Sequence, residues 1–144
     1  MICIKEISYM DIHKCFLLDS VTLKLWNIEQ WRKELSNKNN KPIGLFDDDD
    51  DLIGVCVYQK ITDEVEITFI TVHPYHQKKG AGKELINNLL AICKKENVKR
   101  IILEVSNKND NAIKFYEDYG FETIATRNKY YRDGSDAILK EKKM

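Results

Sequence analysis

No stretch of this chain approaches the ~18 consecutive apolar residues of a membrane-spanning helix, so the sequence predicts no membrane span. Net charge is missing too: 23 Lys and Arg balance 23 Asp and Glu over 144 residues. A non-specific nucleic-acid binder carries a strongly basic total, so that class is excluded, while local anion sites stay possible. Proline (2) and glycine (6) are scarce, and no Pro/Gly/Ser linker or internal repeat divides the chain. The expectation is therefore a single domain over residues 1–144. Cysteine is limited to Cys3, Cys15, Cys56 and Cys93, with no C-x-x-C pair and no zinc-type histidine spacing. The start Met1-Ile2-Cys3-Ile4-Lys5 lacks a basic segment followed by an apolar run. Reduced thiols in a cytoplasmic protein, and no metal site, are expected.

What is present is an ordinary globule, 43% hydrophobic and 32% charged. Residues 2–7 read as a strand, and 10–20 and 27–36 as helices, with Asn27 as N-cap of the second. Ile43–Phe46 and Leu52–Lys60 read as strands joined by Asp47–Asp51, a run of like charges that suits a hydrated hairpin turn better than an EF-hand loop. Alternating Val65, Ile67 and Phe69 mark a strand over 63–72. Leu85, Ile86, Leu89, Leu90 and Cys93 share one face of a helix over 83–96. A strand over 99–105, a helix over 109–119 closed by Gly120, and strands over 121–126 and 137–140 complete the chain. The mixed order predicts an α/β layered domain with a partly antiparallel sheet.

Chemistry concentrates between Val72 and Lys83. A strand ends, a turn with Pro74 follows, and Gly80-Ala81-Gly82 opens the clearest helix, with Lys78, Lys79 and Lys83 around it. Glycines let backbone approach a ligand, and helix-start N–H groups attract anions. A Walker A loop does not fit, because Gln77 stands where its first glycine belongs and Glu84 follows the lysine. The Rossmann fingerprint lacks its third glycine.

Gln77-x-x-Gly80-x-Gly82 resembles the acetyl-CoA pyrophosphate loop of the GCN5-related N-acetyltransferases (GNAT). The resemblance continues through Leu103-Glu104-Val105, Asn109-x-Asn111-Ala112-Ile113-x-x-Tyr116 and Tyr119-Gly120-Phe121. Arg127, Tyr130-Tyr131 and Asp133-Gly134-x-Asp136-Ala137 are similar to the branch that acetylates protein N-termini, the RimI-type ribosomal-protein-alanine enzymes, as is Trp26 with Trp31. Leu25 departs from that branch where a proline often precedes the tryptophan, and Phe69 where a polar residue is common.

The resemblance implies a GNAT fold: a mixed, mostly antiparallel central sheet in the order β-α-α-β-β-β-α-β-α-β-β, with helices on both faces. It implies direct acetyl transfer from acetyl-CoA to a protein N-terminal α-amine, with the alanine of a ribosomal protein as one acceptor. Glu104 would be the general base and Tyr116 the general acid. Ile70, Thr71 and Val72 would meet the co-substrate through backbone groups, the Val72 N–H serving the oxyanion. Gln77, Lys78, Lys79, Gly80, Ala81, Gly82, Lys83 and Asn109 would bind it, and Trp26, Glu66, Tyr130 and Tyr131 would contact the acceptor. Blander readings stand beside these: Tyr116 as a core aromatic with Phe115 and Tyr119, Asn109 as an N-cap, and both glutamates as solvated acids. A GNAT enzyme for a small-molecule amine or a lysine side chain is the alternative function, followed by a non-catalytic acyl-CoA-binding module. No nucleic-acid or membrane partner is expected, and the oligomeric state is expected to be a monomer or weak dimer.

Overall fold

The computed structural model describes residues 2–77 and 79–144. Its elements are β1 (Cys3–Glu6), α1 (Ile12–Ser20), α2 (Ile28–Ser36), β2 (Asn40–Phe46), β3 (Leu52–Ile61), β4 (Glu64–Val72), α3 (Ala81–Lys95), β5 (Arg100–Ser106), α4 (Asp110–Asp118), β6 (Glu122–Arg127) and β7 (Ala137–Lys143). Short 3-10 turns at Tyr9–Asp11 and Pro74–His76 precede α1 and α3. The order is the one read from the sequence. The strands form a seven-stranded sheet, β1-β2-β3-β4-β5-β7-β6. The β4–β5 pair is parallel, and β1–β2, β2–β3, β5–β7 and β6–β7 are antiparallel. Among the described residues, no helix is long and apolar enough to cross a membrane.

The chain clusters into two compact units, Met1–Gln59 with Phe69–Ile92, and Lys60–Thr68 with Cys93–Met144. In the first, Ile12, Cys15 and Leu18 of α1 join Trp31, Phe46, Leu52, Val55, Val57 and Phe69 in one core. Strand β3 is buried from Leu52 to Tyr58 without alternation, the pattern of a strand covered on both faces. Strand β2 starts three residues earlier than its apolar run suggests and passes through Pro42. Proline offers no N–H, yet its carbonyl accepts from the Ile7 N–H at 2.9 Å, so pairing continues. On α3, Leu85, Ile86 and Leu89 are inaccessible to solvent, each such burial contributing about 1.5–3 kcal/mol. The aspartate turn is more ordered than a hydrated run of acids: Asp47 Oδ1 accepts from the Asp49 and Asp51 N–H groups, and Asp50 pairs with Lys5 at 2.7 Å.

In the second unit, Ile101, Leu103 and Val105 on β5 and Val65 and Ile67 on β4 are buried, so Arg100, Ile102 and Glu104 lie on the opposite face of β5. Every residue of β6 is exposed. Lys140 of β7 is buried, its Nζ donating to Thr123 Oγ1 at 3.1 Å and lying 3.6 Å from Glu117. All four cysteines are thiols; burial pushes Cys15 up to about 12 and Cys93 to about 11.

Candidate active site

The anion loop belongs to the first unit. Strand β4 delivers Ile70, Thr71 and Val72, the last two buried. His73 Nδ1 accepts from the Tyr75 N–H at 3.1 Å and starts the 3-10 turn. Gln77 Nε2 then donates to the Val72 carbonyl at 2.9 Å, tying the end of the turn back to the end of the strand. Lys78 lies outside the described residues. Gly80 has φ +86° with open space where a Cβ would stand. A left-handed residue with a bare upper face is a backbone site that a large anion can approach. The first helical bond runs from the Glu84 N–H to the Gly80 carbonyl at 3.0 Å. Gly82 therefore sits in the first turn of α3, with buried Ala81, instead of in the loop where the Gly-x-Gly pattern suggested it. Exposed Lys83 and the Lys79 ammonium, 3.9 Å from the centre of the Tyr75 ring, supply positive charge. The local set fits a diphosphate: a helix start, a left-handed glycine and two cations.

The first unit also holds Trp26, half-buried, with ring centroids of Trp31 and Phe69 at 4.8 and 4.9 Å. Phe69, which departs from the acetylating branch, completes this cluster at 4.9 Å from Trp31. Beneath it lies a carboxylate that sequence reading missed. Asp19 is wholly buried, and its two oxygens accept from the Leu25 N–H at 2.9 Å, the Trp26 N–H at 2.9 Å and Trp31 Nε1 at 3.0 Å. Ile12, Cys15 and Asp19 occupy i, i+3 and i+7, so helical spacing could have placed this acid on the buried stripe. The departure at Leu25 finds its reason here, because a proline at that position would have no N–H to give Asp19.

In the second unit, Glu104 projects from β5 with its side chain about one-quarter exposed, and Arg127 Nη2 lies 3.5 Å from its Oε1. The guanidinium sits 5.5 Å from the centre of the Tyr130 ring, which packs edge-on against Tyr131 at 5.2 Å. Burial, then the negative charge of Glu104, pushes the Tyr131 phenol up to about 12. The sequence brought Arg127 into view without a role; its link to Glu104 depends on strand pairing. The tyrosine loop is fixed by its own acids. Asp133 Oδ1 accepts from the Ser135 N–H and hydroxyl at 2.9 and 2.6 Å, holding the Asp133 carboxyl below the usual range. Asp136 Oδ1 accepts from the Lys129 N–H at 2.9 Å.

Glu66 is exposed on β4 and opposes Ile102 in the parallel register, which puts it on the same sheet face as Glu104. Tyr116 is buried on α4, 5.6 Å from the Phe121 ring. It also anchors the helix end: the Phe121 N–H reaches the Tyr116 carbonyl at 3.0 Å and the Gly120 N–H reaches Glu117 at 2.9 Å. This 6→1 and 5→2 pairing needs a left-handed residue, and Gly120 supplies φ +89°. Asn109 caps the other end, its Oδ1 accepting from the Ala112 N–H at 3.2 Å.

Residues 8–121 match the family model of the acetyltransferase (GNAT) family. The [ribosomal protein bS18]-alanine N-acetyltransferase of Haemophilus ducreyi is 31% identical over 137 residues, covering 92% of each chain. Among solved structures, the ribosomal-protein-S18-alanine N-acetyltransferase from Escherichia coli superposes with a TM-score of 0.89 at 25% identity, over 98% of this chain and 92% of that one. Arabidopsis thaliana NAA60 in complex with acetyl-CoA shares the fold, with a TM-score of 0.86 at 18% identity over 100% and 99% of the two chains. With its family model, its relatives and its sheet order in agreement, the chain belongs to the acetyltransferase (GNAT) family and is an N-acetyltransferase.

Proposed function

We propose that the protein transfers the acetyl group of acetyl-CoA to the α-amine of a protein N-terminus, an N-terminal alanine of a ribosomal protein being the first acceptor to try. The observation that carries this reading is the Tyr130-Tyr131 loop, braced by Asp133 and Asp136, whose Tyr130 ring lies under the Arg127 guanidinium that pairs with Glu104. The named acceptors of the Haemophilus and Escherichia enzymes support it.

In this reading Gly80, Ala81, Gly82, Lys79, Lys83 and their backbone hold the diphosphate of the co-substrate, with Gln77 fixing the loop and Asn109 contributing from the start of α4. Lys78 is assigned there from the sequence alone. Backbone groups of Ile70, Thr71 and Val72 align the thioester, the Val72 N–H donating to the carbonyl oxygen as it gains charge. Through a water, Glu104 takes the proton that the acceptor nitrogen sheds as it bonds to the acetyl carbon. The nitrogen's lone pair forms the new bond to the acetyl carbon, the carbon–sulfur bond breaks, and the Tyr116 hydroxyl protonates the departing thiolate. Glu66 and Trp26, with Tyr130 and Tyr131, contact the acceptor.

Thiol release from acetyl-CoA in the presence of peptides beginning Ala, Ser or Met tests the proposal. Acetylation at the α-amine is expected. A protein that acetylates small amines or lysine side chains and no N-terminus removes this acceptor class, and one that releases no thiol with any amine removes the transferase roles of Glu104 and Tyr116.

A further inference from the structure

We propose that Arg127 is a specificity-determining residue that admits the acceptor amine in its neutral form, and so favours α-amines over lysine ε-amines. This rests on the reading of Glu104 as the base for a protein N-terminus. Arg127 is the last residue of β6, about half exposed, with Nη2 3.5 Å from Glu104 Oε1 and its guanidinium set over Tyr130. A guanidinium carries its charge at every working pH.

Among the described residues, Glu66 of β4 and Glu141 of β7 share the sheet face of Glu104, each in register with Ile102, and Glu141 is paired with Arg100 at 2.7 Å. Tyr131 remains a neutral phenol well above neutral pH. Asp133, also felt by Tyr131, is engaged by Ser135 and lies 3.9 Å from Lys108. The Glu104 charge is thus already answered by a fixed cation.

An acceptor arriving as an ammonium would have to share Glu104 with that cation, and like charges set side by side oppose binding. A neutral amine meets no such opposition. The distinction separates two kinds of acceptor. With a pKa near ~7.7–8.0, an α-amine is roughly one-third neutral at pH 7.5, whereas a lysine ε-amine near ~10.4 is neutral in roughly one molecule in a thousand. Turning ammonium away penalises lysine most. Because the pair is partly solvated, the expected effect is a few-fold and weakens with salt.

The experiment compares wild type, Arg127→Gln and Arg127→Lys on two probes. One is a lysine-free peptide with a free N-terminal alanine; the other is an N-acetylated peptide with one internal lysine. Both are assayed by thiol release between about pH 6.5 and 8.5, across the α-amine pKa. Arg127→Gln is expected to raise the ε-to-α ratio of kcat/KM by about three- to fivefold. It should also flatten the rise in KM for the alanine peptide as pH falls below about 7.7. Arg127→Lys, which keeps the charge, should follow wild type in both readouts, and added salt should move wild type towards Arg127→Gln. An unchanged ratio and KM profile in Arg127→Gln overturns the inference, as does an Arg127→Lys enzyme that behaves like Arg127→Gln. If neither enzyme acetylates the lysine peptide, the KM profile decides alone. A wild-type enzyme that acetylates no N-terminus instead removes the acceptor reading beneath it, so the two failures are distinct.

Discussion

Asp19 and Glu104 are both acids set within apolar elements, and their surroundings treat them in opposite ways. Asp19, on α1 of the first unit, is sealed from solvent with three N–H groups pointed at its two oxygens. Glu104, on β5 of the second, keeps a quarter of its side chain exposed beside one long ion pair. A carboxylate surrounded by donors has its lone pairs committed and serves as an anchor. One held by a single partly solvated cation retains the capacity to accept a proton from a substrate. The contrast shows why the presence of an acid in an apolar stretch does not identify a base. The donors around it decide.

The largest expected effect falls on the proposed base. Glu104→Gln should lower kcat by about 10²–10⁴ while the KM for acetyl-CoA and the urea midpoint stay near wild type. Asp19→Ala should do the reverse. It leaves the buried Trp31 Nε1–H and the part-buried Leu25 and Trp26 N–H groups without their acceptor, which should cost about 3–5 kcal/mol of stability in urea unfolding. A stable Asp19→Ala protein with a ruined kcat, or an unstable Glu104→Gln protein, would break the comparison.

A smaller change sharpens it. Leu25→Pro removes one of the three donors and nothing else from the Asp19 cluster, so a loss of about 1–3 kcal/mol is expected. Strain adds to this, because Lys24 has φ +52° and a following proline disfavours that conformation. An unchanged urea midpoint would show that the Leu25 N–H is dispensable to Asp19.

The same pair of acids shows how far the sequence could be read. Element order, the α3 stripe, the Asn27 cap and the Gly120 terminus were all legible, because each rests on local periodicity or on one residue's backbone preference. Glu104 was legible as an acid inside an apolar strand. Its partner was not, since Arg127 reaches it only through the β5–β7 and β6–β7 registers, the second shifted between Thr123 and Ala125. Asp19 had the right helical spacing, but two of its three donors are backbone groups of the loop after α1, where side-chain identity carries no signal. The start of β2 was missed for a related reason: proline argues against a strand interior, and here a carbonyl alone sustains the pairing.

The smallest effect tests the electrostatic half of the contrast. The Tyr131 phenol is pushed up to about 12, first by burial and next by the charge of Glu104, whereas in the unfolded chain it titrates near ~10. Between those two values the native state holds a proton that the unfolded chain has released. Stability should therefore fall as pH rises from about 10 towards 12, and this group should contribute no pH dependence below about 10. Phenolate absorbance should show a late tyrosine step that Tyr131→Phe loses. In Glu104→Gln that step should move down without reaching the unfolded value, because burial, the larger cause, remains. Asp19→Asn should leave it in place, since that acid faces the N–H groups of Leu25, Trp26 and Trp31. If Glu104→Gln leaves the late step where it was, Glu104 does not act on the phenol, and the open carboxylate is as electrostatically silent towards Tyr131 as the sealed one.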